Sequence, residues 1–240
     1  MQDFIVLIPS RMQSTRLPGK PLKLIGNKTL IQRVYEQALQ SNAREVLVAT
    51  DSEEIISHCF NNSINTVLTR SDHLTGSDRL AEAVNNLNLE GDQIIVNVQG
   101  DEPFIDPKDI NNLFDLMVQK SSNMATLYAH LDAKDITNTS VVKLWIKNDG
   151  SVVNFSRKID DKKDIDKAKM HLGIYAYRAS FLKQFVKWPQ SERELDTQLE
   201  QMRAMDNDEV IYAKESISNI HLGVDTEEEL EFAKEIASSL

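Results

Sequence analysis

The chain has 240 residues, and its 27 Lys and Arg against 37 Asp and Glu give a net charge of −10. This balance argues against nucleic acid as a partner, because binding a phosphate backbone needs a basic face. The length predicts a single domain over residues 1–240, with room for a small lobe. The one cysteine, Cys59, excludes an intramolecular disulfide and a cysteine-rich zinc site.

The sequence predicts neither a membrane span nor a secretory signal. Its apolar runs are shorter than the roughly 18 residues that a transmembrane helix needs. The first residues carry no basic region and no small-residue cleavage site. We therefore expect a cytoplasmic location, and a single cysteine is typical of a reducing compartment.

Short apolar runs alternate with helical periods in the first half of the chain. The predicted strands are Phe4–Ile8, Glu45–Ala49, Asn65–Leu68 and Gln93–Val98. The predicted helices are Leu30–Leu39, Ser52–Phe60, Ser77–Leu87 and Pro107–Val118. This alternation predicts an α/β fold, a mostly parallel sheet covered by helices on both faces.

Strands predominate after residue 120, which predicts a mixed extension of the sheet with a small lobe around residues 125–210. The strand-like runs are Met124–Ala129, Val141–Ile146, Val152–Phe155 and Leu172–Tyr177. Helices are predicted at Glu194–Met205 and Thr226–Ile236. The charge-dense stretch Lys158–Lys169 indicates a solvated or mobile loop, and a lid over a ligand is the alternative.

The loop after the first strand carries three cations, Arg11, Arg16 and Lys20, within ten residues. In a doubly wound sheet this loop lies at the carboxyl end of a strand, where ligands bind. Arginine forks match phosphate oxygens, and lysine supplies a point charge. The loop therefore predicts an anion site, although Ser14 and Pro21 do not fit a P-loop.

Two aspartates are candidate magnesium ligands. Asp101 follows a buried-looking strand, and Asp225 precedes the last predicted helix. Magnesium typically uses one or two carboxylates completed by phosphate and water. The alternatives are that Asp101 caps a turn and that Asp225 or Thr226 caps the helix.

Two further groups of polar residues have functional and structural interpretations. The turn Thr75-Gly76-Ser77 leads into a helix whose amides could hold an anion or a base edge, but Ser77 could equally be a plain cap. Arg157 could bind a substrate carboxylate. His171 and Tyr175 could contact a ligand, although isolated residues of these types near strands are more often structural.

Together these segments resemble the sugar-acid cytidylyltransferases over nearly the whole chain. The matching motifs, in the family's order, are Ile8-Pro9-Ser10-Arg11, Ser14–Leu22, Ala49-Thr50-Asp51, Thr75–Arg79, Val98–Pro103, Phe155-Ser156-Arg157, His171–Tyr175, Leu199–Arg203 and Val224-Asp225-Thr226. The family is usually apolar and Pro-containing where this chain has the polar segment Lys158–Met170, which raises the possibility of a variant sugar.

The resemblance implies a Rossmann-like nucleotidyltransferase that couples CTP to a small sugar acid with Mg²⁺, releasing pyrophosphate. The expected sugar acid is 3-deoxy-manno-octulosonate (Kdo), used for lipopolysaccharide, and the expected assembly is a homodimer. An 8-amino form, another nonulosonate-type acid, and a non-catalytic nucleotide-binding protein are the alternatives.

The resemblance also implies roles for individual residues. Arg11, Arg16 and Lys20 would bind the triphosphate, and Asp101 and Asp225 would hold Mg²⁺. The main chain near Ile8, Pro9 and Ser10 and the turn Thr75–Asp78, with Gly76 and Ser77, are expected to read the cytosine, and Arg79 is expected near the sugar. The residues expected to line the sugar pocket are Gln99, Arg157, His171, Tyr175, Glu200 and Gln201. The lobe around 125–210 would serve dimerisation and sugar binding.

Overall fold

A computed structural model describes residues 3–239 of the chain. Within this range the strands are β1 Phe4–Ser10, β2 Leu24–Ile25, β3 Lys28–Thr29, β4 Glu45–Thr50, β5 Thr66–Leu68, β6 Ile94–Asn97, β7 Met124–Ala129, β8 Lys143–Ile146, β9 Val152–Ser156, β10 Lys169–Arg178 and β11 Ile211–Glu215. Nine of them form one sheet in the order β11-β7-β10-β6-β1-β4-β5, in which β8 pairs with β10 and β9 pairs with β8, while β2 and β3 pair only with each other. The helices are α1 Leu30–Ala38, α2 Glu53–Asn61, α3 Gly76–Asn86, α4 Pro107–Lys120, α5 Ala179–Phe185, α6 Glu192–Thr197, α7 Gln201–Asp206 and α8 Glu227–Ser239.

The first half of the sheet is parallel, and this confirms the predicted fold class. β1 pairs in parallel with β4 on one side and with β6 on the other, and β4 pairs with β5. The carboxyl ends of these strands therefore meet at one edge of the sheet. The loops that follow β1 and β6 carry the cations and Asp101, respectively.

The second half of the sheet is mixed. β10 runs antiparallel to both β6 and β7, and β11 returns parallel to β7. β8 and β9 form a hairpin that pairs with the start of β10. The separate lobe around residues 125–210 stays a prediction.

Two apolar layers lie on opposite faces of the sheet. One contains Val6, Val96 and Ile174 with buried residues of α1 and α4. The other contains Leu7, Ile95 and Tyr177 with residues of α3 and α5. Because side chains alternate along a strand, the odd-numbered residues of β6 face α3.

The structure corrects several predicted elements. The single helix expected over Glu194–Met205 is two short helices, since Gln198 between them has a φ of +54° and ends the first. The sequence pattern also missed α5 and β11. The segment Lys158–Lys169 contains a 3-10 turn at Lys162–Lys167, whose residue Asp164 accepts a hydrogen bond from the Trp145 ring nitrogen at 2.9 Å.

None of the helices that residues 3–239 form has both the length and the apolar character needed to cross a membrane.

Candidate active site

A cavity of about 970 Å³ opens at the carboxyl edge of the parallel strands. The candidate residues that line it are Pro9, Ser10, Arg11, Arg16, Lys20, Thr75, Gly76, Arg79, Gln99, Asp101 and Asp225. Other residues of its wall include His73, Leu74 and Gly100. The fold thus gathers residues separated by more than two hundred positions in the chain.

The cationic loop is shaped by a buried anchor and a left-handed turn. Leu17 is 1% exposed, and its amide donates to the Ser14 hydroxyl at 3.3 Å. Gly19 has a φ of +67°, a backbone conformation that other residues rarely adopt, and it precedes the 3-10 turn Lys20–Leu22. This turn directs Lys20 into the cavity, while Arg11 and Arg16 stay exposed.

Lys20 joins the two candidate metal ligands. Its Nζ lies 2.8 Å from Asp101 Oδ2 and 2.8 Å from Asp225 Oδ1. Arg16 adds a second contact, 2.6 Å from Asp225 Oδ2. Burial acts to raise the pKa of Asp225, but the hydrogen bonds and charges of Lys20 and Arg16 outweigh it and lower the pKa. Burial acts to lower the pKa of Lys20, but the two carboxylates raise it overall.

The position of Asp225 is fixed by hydrogen bonds that its two neighbours in the chain, Val224 and Thr226, form with other residues. The Val224 amide donates to the Asp101 carbonyl at 2.8 Å, which ties the two segments together. The Thr226 hydroxyl accepts from the Glu229 amide, while Glu229 accepts from the amides of Asp225 and Thr226. Thr226 is therefore the helix cap, and the Asp225 carboxylate is free to face the cations.

Gly100 lies where two strand ends approach closely. A Cβ placed on it would stand 2.8 Å from the Pro9 carbonyl oxygen, so no larger residue fits without movement of the main chain. Next to it, Gln99 donates to the Gly173 carbonyl at 3.1 Å. These contacts set Asp101 at the cavity and connect the loop after β6 to β10.

The start of α3 forms the opposite wall, and its cap is Thr75 rather than Ser77. Thr75 and Asp78 exchange hydrogen bonds in a capping box. The Ser77 hydroxyl is buried instead and donates to Glu200 at 2.7 Å. Arg79 is 4% exposed, and its guanidinium contacts Thr69 Oγ1 at 2.5 Å and Asp51 at 3.1 Å.

A second group of candidate residues lies beside the cavity, on the face of the sheet that α3 covers. We call it the polar cluster: Ser77, His171, Tyr175 and Glu200, followed in the chain by Gln201, which is buried at the start of α7. The rings of His171 and Tyr175 have centroids 5.3 Å apart, and His171 Nε2 lies 3.0 Å from Thr126 Oγ1. Burial lowers the pKa of His171 to about 3 and raises the pKa of Glu200. The cluster therefore presents a neutral imidazole and a carboxyl group with a weakened tendency to ionise.

Arg157 and Ile8 are placed differently from the other candidates. The Arg157 guanidinium donates to the main-chain carbonyls of Thr139, Thr197 and Gln198 at 3.0–3.3 Å, and it does not line the cavity. Ile8 is fully buried in the core. In this structure Arg157 stabilises the end of α6, immediately before Glu200.

The position between Asp101 and Asp225 suits a cation. Their oxygens already share one ammonium group, and carboxylate oxygens are the ligands that Mg²⁺ prefers. Residues 3–239 contain no group of three or more His, Cys, Asp or Glu side chains able to hold a metal. Two carboxylates with the remaining ligands from water and phosphate match the usual magnesium site beside a nucleotide.

The structure also reveals two titratable side chains at or near the cavity, Glu102 and His73, that were not among the candidates from the sequence. Burial and the charges of Asp101 and Asp109 raise the pKa of Glu102 to about 8. His73 in the cavity wall contacts the Glu82 carboxylate. Only the position of Glu102 directly after Asp101 was a signal in the sequence.

Comparison with known proteins agrees with this geometry. A sequence profile described as cytidylyltransferase matches residues 5–217. The chain belongs to the cytidylyltransferase family. It is 39% identical over 252 residues to the 3-deoxy-manno-octulosonate cytidylyltransferase of Haemophilus influenzae (strain 86-028NP), with 99% of each chain covered. It is 43% identical over 242 residues to the corresponding protein of Pseudomonas fluorescens (strain SBW25), with 95% of each covered.

A solved structure extends the likeness to three dimensions. The CMP:2-keto-3-deoxy-manno-octonic acid synthetase complexed with CTP superposes with a TM-score of 0.92 at 34% identity, covering 99% of each chain. This cytidylyltransferase is therefore a nucleotidyltransferase, as the sequence predicted.

Proposed function

We propose that this cytidylyltransferase couples CTP to Kdo, giving CMP-Kdo and pyrophosphate for lipopolysaccharide synthesis. The observation that carries the proposal is the meeting of Arg16, Lys20, Asp101 and Asp225 in one cavity. Its support from the comparisons is that the H. influenzae relative is named for this activity and the similar solved structure holds CTP.

We propose that the triphosphate lies along the cationic loop. Arg11 and Arg16 line the cavity and are exposed, and Lys20 lines it and is half-buried. When the nucleotide binds, its phosphates offer these cations more negative charge than Asp101 and Asp225 do. Transfer of a nucleotidyl group depends mainly on such positioning and charge neutralisation.

In the proposed reaction, the anomeric hydroxyl of the sugar acid attacks the α-phosphorus in line, and pyrophosphate leaves. Asp101 and Asp225 would hold Mg²⁺, which, when bound, offsets the negative charge of the phosphates and lowers the pKa of a hydroxyl. Arg16 and Lys20 would stabilise the charge on the departing pyrophosphate. The polar cluster, with Gln99 and the nearby Arg79, would orient the sugar, and Pro9, Ser10, Thr75 and Gly76 would face the cytosine.

We also propose a homodimer in the cytoplasm. A reducing location agrees with Cys59, which is a free, buried thiol. Sedimentation equilibrium at several concentrations tests the assembly, because a homodimer gives twice the chain mass of 27.2 kDa.

The experiment is a pyrophosphate-release assay with Mg²⁺, in which CTP, UTP and ATP are each combined with Kdo, 8-amino-Kdo or a nonulosonate. We expect CTP with Kdo to give the highest kcat/KM. A higher value for another sugar acid would reassign the acceptor. Binding of CTP without pyrophosphate release from any acceptor would mean a non-catalytic protein.

A further inference from the structure

Asn97 is a buried polar residue next to the polar cluster, and the proposed chemistry gives it no role. It is the last residue of β6, opposite Leu7 of β1 and opposite Tyr175 of β10. Directly opposite residues of an antiparallel pair have Cβ atoms about 5 Å apart. Since Asn97 follows Ile95 by two positions, its side chain lies on the face that α3 covers.

The Asn97 carboxamide lacks a partner that a structural asparagine would have. The residue is 3% exposed, and its Oδ1 is buried with no hydrogen-bond partner among residues 3–239. Burying a polar group without a partner is unfavourable, and such groups are rare in folded proteins. By contrast, Asn112 on α4 is also buried, but it donates to the Glu215 carbonyl at 3.1 Å.

A second acceptor in the polar cluster also lacks a hydrogen bond, although a cation lies near it. Among residues 3–239, Glu200 Oε1 is buried and accepts no hydrogen bond, and Arg203 Nη2 lies 3.7 Å from it, while Oε2 of the same carboxyl group accepts from Ser77. Asn97 Oδ1 and Glu200 Oε1 are thus two buried acceptors without a hydrogen bond, and they suit a ligand that carries several hydroxyl donors.

Gln99 connects this place with the cavity. It lies two residues beyond Asn97, on the same face of the chain, and it lines the cavity. Asn97 therefore lies two residues further into the sheet than Gln99, which is at the cavity wall. A half-turn of a carboxamide exchanges its oxygen and nitrogen, and a hydroxyl can both donate and accept, so either orientation can serve a sugar.

We propose that Asn97 is a further substrate-binding residue, whose carboxamide hydrogen-bonds a hydroxyl of the acceptor sugar acid between Gln99 and Tyr175. This inference rests on the proposed function, since it assumes a polyhydroxyl acceptor. Burying Asn97 Oδ1 without a hydrogen bond costs free energy, and a hydroxyl of the bound acceptor would remove that cost.

The experiment compares Asn97→Leu with the control Asn112→Leu, measuring KM for Kdo, KM for CTP and the thermal midpoint. Asn97→Leu should raise KM for Kdo about 10-fold and leave KM for CTP within 2-fold, because only the acceptor loses a partner. Its thermal midpoint should not fall, because an unpartnered polar group is replaced by an apolar one of similar size. Asn112→Leu should lower the midpoint and change neither KM.

The outcomes separate this inference from the proposed function. If the wild type releases pyrophosphate with Kdo but Asn97→Leu keeps KM for Kdo within 2-fold, the inference is wrong and the proposed function stands. If the wild type uses no sugar acid, both fail. Should Asn97→Leu not fold, Asn97→Ala gives the same comparison of the two KM values.

Discussion

Lys20 Nζ lies 2.8 Å from an oxygen of Asp101 and 2.8 Å from an oxygen of Asp225, so one ammonium group joins carboxylates 124 positions apart. The ammonium offsets the repulsion that two adjacent carboxylates would otherwise have. We propose that Mg²⁺ is held at the same place once the phosphates of CTP draw Lys20 away.

Asp101→Asn should lower kcat at saturating CTP and sugar acid by about 100-fold or more. The change removes one of the two carboxylates that we propose to hold Mg²⁺ beside the reacting phosphates, and losses of a preorganised charge of this kind are typically that large. The check is the initial rate of pyrophosphate release over a range of Mg²⁺ concentrations. Asp115→Asn, on the exposed side of α4, is the control and should keep wild-type rates. Near-normal turnover of Asp101→Asn would remove Asp101 from the metal site.

Gly100→Ala should lower kcat/KM for CTP by at least about 10-fold. A Cβ at this position would stand 2.8 Å from the Pro9 carbonyl oxygen, so the main chain beside Asp101 must move. Gly223→Ala is a matched control in the segment that leads to Asp225, because a Cβ there meets no atom within 4 Å. If both variants behave alike, the close approach at Gly100 does not position the site.

Arg157→Met should destabilise the protein by about 2 kcal/mol, because three main-chain carbonyls lose a charged donor. For a chain of this size the midpoint should fall by about 5 °C. Thermal unfolding followed by circular dichroism measures the change. An unchanged midpoint, combined with a higher KM for the sugar acid, would instead favour the carboxylate-binding role that the sequence suggested.

His171 should make the fold less stable in mild acid. Its pKa is lowered to about 3, so the unfolded chain binds a proton near pH 6.5 that the native state does not. The contribution is therefore fully present above pH 6.5 and is lost progressively as the pH falls toward 3. The free energy of unfolding of His171→Gln should fall less steeply between pH 7 and pH 4 than that of the wild type. His130→Gln, which makes the same substitution at an exposed histidine, is the control for the substitution itself.

Much of the fold could be predicted because local signals agreed with the final structure. Apolar strands alternate with helical periods up to residue 120, and Ser52, where the second helix was predicted to begin, is the cap of α2. The helix expected over Glu194–Met205 was wrong because its apolar period continues through the left-handed turn at Gln198, which has no glycine to mark it.

The site shows a similar division. The cationic loop and the two aspartates were recognisable as residue types suited to phosphate and magnesium. Their separation in the sequence does not show that they lie next to each other in the folded protein. The backbone contact from Val224 to Asp101 brings them together, and such a contact leaves no trace in composition. The choice between Asp225 and Thr226 as helix cap was likewise settled only by the hydrogen bonds of Glu229.

The roles of individual residues followed from resemblance, and the structure separates them by position. Arg11, Arg16, Lys20, Asp101 and Asp225 share the cavity, whereas Arg157 contacts main-chain carbonyls. Burial of a charged or polar group, as at Glu102 and Asn97, depends on packing from distant segments. No sequence pattern reveals Asn97, and the only signal for Glu102 is its position directly after Asp101.

The most direct test is a crystal structure of the protein with CTP and Mn²⁺, a magnesium substitute whose anomalous scattering identifies it. We predict an anomalous peak within about 2.3 Å of carboxylate oxygens of both Asp101 and Asp225, with Lys20 turned to the triphosphate. CTP bound with the metal elsewhere, or with Lys20 still joining the two aspartates, would contradict the account.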